Sequence, residues 1–178
     1  MRHIHPDYDQ LRTVGKNLNS ALFKELTRDE YKIAARRLDA IKKGKMNFES
    51  YDQFDKYTDF CINDYVDING ENIVKRYQRK HHGTINTTDA RILDALLSSQ
   101  TSLFQILSSD TESATVKLED LLNGGELTIT DRGLSSSPGI NSFVIFSRIL
   151  TYGEDLHITS GAAMLFPNRF RDMILQDY

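Results

Sequence analysis

The chain has 178 residues, 39% of them hydrophobic and 26% charged, with a net charge of −3; this excludes the disordered class and suits one core or two docked subdomains. Its single cysteine, Cys61, rules out an internal disulfide and a cysteine-based zinc site. No run approaches the roughly 20 apolar residues of a membrane span and Met1–Asp7 lacks an apolar signal core, so a reducing cytoplasm is the expected location, with no membrane partner.

Pro6 suits a first helical turn, and Leu11, Val14, Leu18, Ala21, Leu22 and Leu26 recur at helical spacing, which predicts a first helix from Pro6 to Leu26. Thr27-Arg28-Asp29-Glu30 is a capping-box pattern. Tyr31, Ala34, Ala35, Leu38 and Ile41 form the apolar face behind it, and Gly44 is the expected stop. Asn47 or Ser50 is the expected cap of a third helix, with Tyr51, Phe54, Tyr57, Thr58, Cys61 and Tyr65 inward and Asp52, Asp55, Lys56, Asp59 and Asn63 toward water. Asn69-Gly70 breaks the pattern, and Ile73 and Tyr77 give a shorter helix closed by His81-His82-Gly83. Thr87 or Thr88 is expected to cap a fifth helix through Ala90, Leu93, Leu96 and Leu97.

Beyond Gln100 the period falls toward two. Strands are predicted at Leu103–Leu107, Thr115–Leu118, Leu127–Thr130, Phe143–Leu150 and Leu156–Thr159, the last continuing toward Phe166. Asn123-Gly124-Gly125 is the clearest reversal, and Ser135–Gly139 the longest exposed loop. A terminal helix from Pro167 would present Phe170, Met173 and Ile174 to a core or to a second copy in a homodimer. The fold class is therefore α+β: about five N-terminal helices packed on a C-terminal five-stranded antiparallel sheet or small barrel. The boundary falls between a helical subdomain, 1–100, and a β subdomain, 101–178.

Charge divides the same way. Residues 1–100 carry 17 Lys/Arg against 15 Asp/Glu, and residues 101–178 carry 5 against 10. An acidic β half lacks the basic, aromatic-interleaved pattern of nucleic-acid-binding barrels.

Several stretches carry a family likeness: Asp59-Phe60-Cys61-Ile62-Asn63-Asp64-Tyr65, Ile73-Val74-Lys75-Arg76-Tyr77, Ser102-Leu103-Phe104-Gln105-Ile106, Val116–Gly124, Asp131-Arg132-Gly133-Leu134-Ser135, Phe146-Ser147-Arg148-Ile149-Leu150 and Thr159–Ala163. Over roughly residues 30–166 the chain resembles a family of uncharacterised bacterial proteins in which a helical region precedes a small β module. Some members append a cysteine-rich SEC-C zinc segment associated with protein targeting. This sequence has no such segment, so the resemblance transfers no catalytic or metal-binding residue.

The residues themselves support little chemistry. His81-His82 are adjacent and point apart on a helix, which favours a helix C-terminus over a metal site. Asp52, Asp55 and Asp59 surround Lys56 as a solvated, ion-paired face. Cys61, among aromatics, reads as buried and inert. Asp131 through Gly139 resembles the loop of cyclic-dinucleotide receptors of the PilZ type, but its spacing fails. Serines 135–137 lack a nucleophile elbow, and phosphate-binding loops are missing. No cofactor, metal or catalytic residue is expected.

The function expected is non-catalytic binding of another macromolecule, protein before nucleic acid, by an interaction or adaptor module. Arg148 on its strand, and Arg132, Leu134 and Ser135 in the loop running to Ile140, form the expected recognition surface. Asp64 is expected to cap its helix or bond to Arg76 or Arg148. One alternative is an enzyme assembling Asp64, Arg76, His81, Arg132, Arg148 and His157 in a helix–sheet crevice. The other is a nucleic-acid or nucleotide-binding face built from Arg28, Lys32 and Arg36 in the basic stretch 24–45.

Overall fold

The computed structural model describes residues 3–43 and 45–177. They form two compact units, one of residues 9–97, the other of residues 3–8 together with 98–177. Helices come first and strands after, an α+β chain, and no described helix is long and apolar enough to cross a membrane.

In the first unit, α1 (Tyr8–Lys24) buries Leu11, Leu18 and Leu22 along one stripe. The capping box opens α2 (Arg28–Arg37) as its pattern requires. The Glu30 amide donates to Thr27 Oγ1 at 3.3 Å, and the Thr27 amide to Glu30 Oε2 at 2.7 Å. The helix stops seven residues before Gly44, which lies outside the described residues. Its end is a Schellman motif: the Asp39 amide reaches the Arg36 carbonyl and the Ala40 amide the Ala35 carbonyl, with Asp39 left-handed at φ 53°. Ile41 therefore leaves the predicted helical face and enters a two-strand hairpin, β1 (Ile41–Lys42) with β2 (Lys45–Met46).

Ser50 caps α3 (Tyr51–Asn63), Asn72 caps α4 (Ile73–Lys80), and α5 (Thr87–Leu97) follows. The cap of α5 is Asn86, whose side-chain oxygen accepts the Asp89 amide at 2.9 Å, rather than Thr87 or Thr88. Tyr57, Cys61 and Tyr65 are buried as the spacing predicts, and Ile62 is buried beside them. Tyr51 is not, because the first turn of α3 lies beyond the edge of the core.

The second unit holds six strands: β3 (Gln100–Asp110), β4 (Thr115–Asp120), β5 (Glu126–Thr130), β6 (Phe143–Tyr152), β7 (Leu156–Thr159) and β8 (Met164–Pro167). All pairings are antiparallel, in the order β5-β4-β3-β6-β7, with β8 also on β6. The last predicted strand is thus two, separated at Gly161, whose φ of 99° breaks the run. β5 and β7, at opposite ends of the order, lie against each other, so the sheet curls into a partial barrel. Register brings Phe104 opposite Ile145, Ile106 opposite Leu118 and Val116 opposite Ile129, all in the barrel core. A bulge at Leu107 shifts the β3–β4 register by one and turns that side chain outward.

The segment read as a long exposed loop is largely structured. Asp131 caps α6 (Arg132–Ser135) through the Leu134 amide at 3.0 Å and accepts the Thr159 hydroxyl at 2.6 Å. Ser135 and Ser136 donate to the Arg132 carbonyl, and Ser137 to the Gly133 carbonyl, so all three hydroxyls close the turn. A 3₁₀ turn at Ile140–Ser142 then buries Ile140. The chain ends in α7 (Arg171–Asp177), which has no buried side chain; Met173 is 55% exposed.

Asp39 occupies a position that glycine fills without steric cost. Asp39→Gly is expected to raise stability by about 0.5–1 kcal/mol in urea unfolding; a loss would contradict the left-handed helix end.

Candidate functional site

A cavity of about 270 Å³ opens beside α4, lined by Glu25, Ile73, Arg76, Tyr77, Arg79 and Lys80. Each basic residue on its wall already has a carboxylate. Lys80 meets Glu25 at 2.6 Å, Arg79 grips both Glu71 oxygens at 2.6 and 2.7 Å, and Arg76 Nη1 meets Glu30 at 2.7 Å and Asp67 at 3.6 Å. His81 stacks on Tyr77 with ring centroids 4.2 Å apart, its Nε2 lying 3.7 Å from Glu25. Its wall carries matched charges, an arrangement suited to tying α4 to α1 and α2.

Glu30 is the inner member of that network. Burial opposes its ionisation, but the Thr27 amide, then the Arg76 guanidinium, outweigh burial and hold the carboxyl below its ordinary range. Asp67 is lowered chiefly by the Glu71 amide, with the Asn69 amide and Arg76 adding to it. Arg76 thus sits between two acids that also organise backbone: Glu30 caps α2, and Asp67 Oδ1 accepts from the Asn69 and Glu71 amides at 2.8 and 3.0 Å.

The predicted site residues disperse into structural roles. Arg76 is the centre of the network. The acids it meets are Glu30 and Asp67, while Asp64 stands exposed at the C-cap of α3. Arg148 is only 7% exposed and its guanidinium donates to Ser99 at 3.3 Å. Ser135 is buried, and Leu134 packs on the barrel core. Arg132 alone of that loop set is exposed; its amide donates to the Tyr8 hydroxyl at 3.3 Å and its guanidinium lies 5.9 Å from the Tyr8 ring centroid. His157 bonds Thr151 at 3.0 Å. Among the described residues no group of three or more His, Cys, Asp or Glu could hold a metal ion.

Sequence reasoning missed a different surface. Phe23, Tyr31, Phe48, Phe54 and Tyr57 form one aromatic cluster, with centroids 4.9 Å apart for Phe23–Tyr31, 5.9 Å for Phe23–Phe54, 5.4 Å for Phe48–Phe54 and 5.1 Å for Phe48–Tyr57. The Tyr31 hydroxyl donates to the Phe23 carbonyl and that of Tyr57 to the Tyr31 carbonyl at 2.8 Å. Met46 adds its sulfur 3.9 Å from the Tyr57 hydroxyl. The edge of the cluster reaches water, with Met46 49% and Phe54 40% exposed; Tyr51, one turn before Phe54 on α3, is 92% exposed. The available signal is Gly44 among Lys42, Lys43 and Lys45, a turn residue that the pattern reads as a helix stop and that serves equally between two short strands.

These basic residues matter because the stretch 24–45 is more basic at the surface than its composition indicates. Of its four acids, Glu25 is held by Lys80 and Glu30 by Arg76, both on α4, leaving Asp29 and Asp39 exposed among eight lysines and arginines. Lys42 is matched by Glu49 at 2.6 Å. Lys43 and Lys45 are exposed and make no ion pair among the described residues.

A family model described as "Family of unknown function (DUF7986)" matches residues 2–178. The chain belongs to the DUF7986 family. That agrees with the resemblance to an uncharacterised family, and the match runs beyond residues 30–166 toward both ends of the chain. No curated protein and no solved structure matches this DUF7986 chain.

Two outcomes follow from the buried groups. Because Glu30 is lowered in the folded state, its contribution to stability is present above the unfolded carboxyl pKa of about 4.3 and is lost as pH falls through the folded value. Glu30→Gln is expected to cost about 2–3 kcal/mol at neutral pH and to flatten the acid limb of a urea-midpoint-against-pH curve; an unchanged curve would contradict the network. Burial pushes the Cys61 thiol up to about 11, against a lowering contact from Tyr57. Alkylation of the folded chain near neutral pH should therefore be far slower than in urea, and equal rates would contradict the burial.

Proposed function

We propose that this DUF7986 chain is a non-catalytic bacterial cytoplasmic protein that acts by docking another protein. The carrying observation is the exposed edge of the aromatic cluster: Met46 and Phe54 reach water, half-buried Phe48 packs edge-on to Phe54, and Tyr51 stands exposed on the same first turn of α3. Apolar and aromatic side chains left in water over a rigid, packed base are the composition of interface centres, where Tyr, Phe and Met are enriched and preordered rings lose little entropy on contact.

This replaces the Leu134–Ile140 loop as the leading surface, since the hydrogen bonds of that loop are spent on closing its own turn. Asp64 and Arg132 keep exposed side chains and stay candidates for peripheral contact, whereas Arg76 and Arg148 are assigned to structure. The charges around the α4 cavity are matched to one another, which favours a structural reading over a catalytic one.

A photoreactive benzophenone side chain at position 51, introduced in native-host cells, is expected to give one protein adduct of defined mass. The adduct should vanish when Met46 and Phe54 are both replaced by serine. The same probe at Ile68, a fully exposed position of this unit, should give none. Equal labelling from both positions, or none from position 51, would overturn the docking reading.

A further inference from the structure

We infer that the segment docking on the Met46–Phe48–Tyr51–Phe54 surface is acidic, a carboxylate-rich protein segment with apolar anchors; this rests on the docking reading above. The hairpin beside the anchors carries lysine at sites where lysine is unfavourable. Lys43 holds φ 52°, a left-handed conformation that suits glycine or asparagine. Lys42 and Lys45 stand directly opposite across the two strands, a like-charge pairing that weakens a hairpin. Glu49 relieves Lys42 at 2.6 Å, but Lys45 has no such neighbour. Strain and repulsion kept together at one turn point to a role for the charge outside the fold.

The same bias extends along α2. Arg28, Lys32 and Arg36 recur one turn apart, and two of the four acids of that stretch, Glu25 and Glu30, are drawn toward Lys80 and Arg76. Asp52 is likewise taken by Lys56 at 2.6 Å, so Asp29, Asp39 and Asp55 are the exposed acids left nearby. The surface therefore offers apolar rings and a thioether beside a stretch in which cations outnumber the acids left near them. Carboxylates on the partner would meet those cations, and apolar anchors would cover Met46 and Phe48. A polynucleotide would supply the negative charge but, beyond sugar carbons and the thymine methyl, no long aliphatic side chain for the Met46 side.

The test is selection of a random phage-displayed peptide library on the full chain, followed by fluorescence anisotropy of the recovered peptides against variants and against oligo-dT. Recovered peptides are expected to be rich in Asp and Glu with Leu or Phe. Their affinity should fall about tenfold in Lys43→Gly/Lys45→Ser at low salt. That variant should also keep or raise the melting temperature, because glycine relieves the left-handed turn; a purely structural role for Lys43 would move stability alone. Peptides without acidic bias, still lost in Tyr51→Ala/Phe54→Ala, would overturn the acidic partner and leave the docking face standing. Peptides indifferent to both variants would overturn both readings. No enrichment, or displacement of the peptides by oligo-dT, would overturn the acidic-segment assignment.

Discussion

The contact between Glu30 and Arg76 decides how the helical unit is built and how its surface is charged. One carboxylate closes the capping box of α2 and receives a guanidinium from α4, at 2.7 Å for each oxygen. Removing a buried carboxylate from water is costly, and the cost is recovered only where hydrogen bonds satisfy the oxygens. Here the Thr27 amide and Arg76 do so. The same guanidinium approaches Asp67, whose other oxygen shapes the turn from α3 into α4. The start of α2 and the turn from α3 into α4 thus share one cation from α4.

Charge on the outside follows from charge on the inside. Arg76 and Lys80 draw two acids of the basic stretch toward α4, and the lysines of the β1–β2 hairpin keep few carboxylates near them. Beneath that hairpin the aromatic cluster supplies rigidity: each ring pair is worth about 0.5–1.5 kcal/mol beyond its buried area, and two tyrosine hydroxyls are anchored on backbone carbonyls. Phe54, packed on Phe23, Phe48 and Tyr57, is thereby held in place while exposed. In the sheet unit, polar groups are engaged differently, with Asp131, Thr159 and the three serines closing a turn against the partial barrel.

Local signals were legible where they act within a few residues. Thr27 to Glu30, Ser50, Asn69-Gly70 and Asn123-Gly124-Gly125 each specify a cap or turn by short-range hydrogen bonding or left-handed φ, and each lies where its pattern places it. The α2 stop was misread because aspartate at position 39, rather than glycine, takes the left-handed site. Tyr51 and Phe54 carry the helical period of an inward face, yet the period cannot say where a core ends. Arg148 and Ser135 were read as surface groups because charge and hydroxyl usually face water; burial beside long-range partners such as Ser99, or in a capped turn, leaves no mark in the local sequence. The family match spans both units and names no activity, so the site rests on geometry alone.

Hydroxyl-radical footprinting of the full chain, first isolated and then in native-host extract, tests the central claim most directly. Met46, Tyr51 and Phe54 should oxidise rapidly in the isolated chain and Tyr57 and Cys61 slowly, and the first three should be protected in extract while Met173 continues to react. Slow oxidation of Met46, Tyr51 and Phe54 in isolation, or no protection of them in extract, would contradict it.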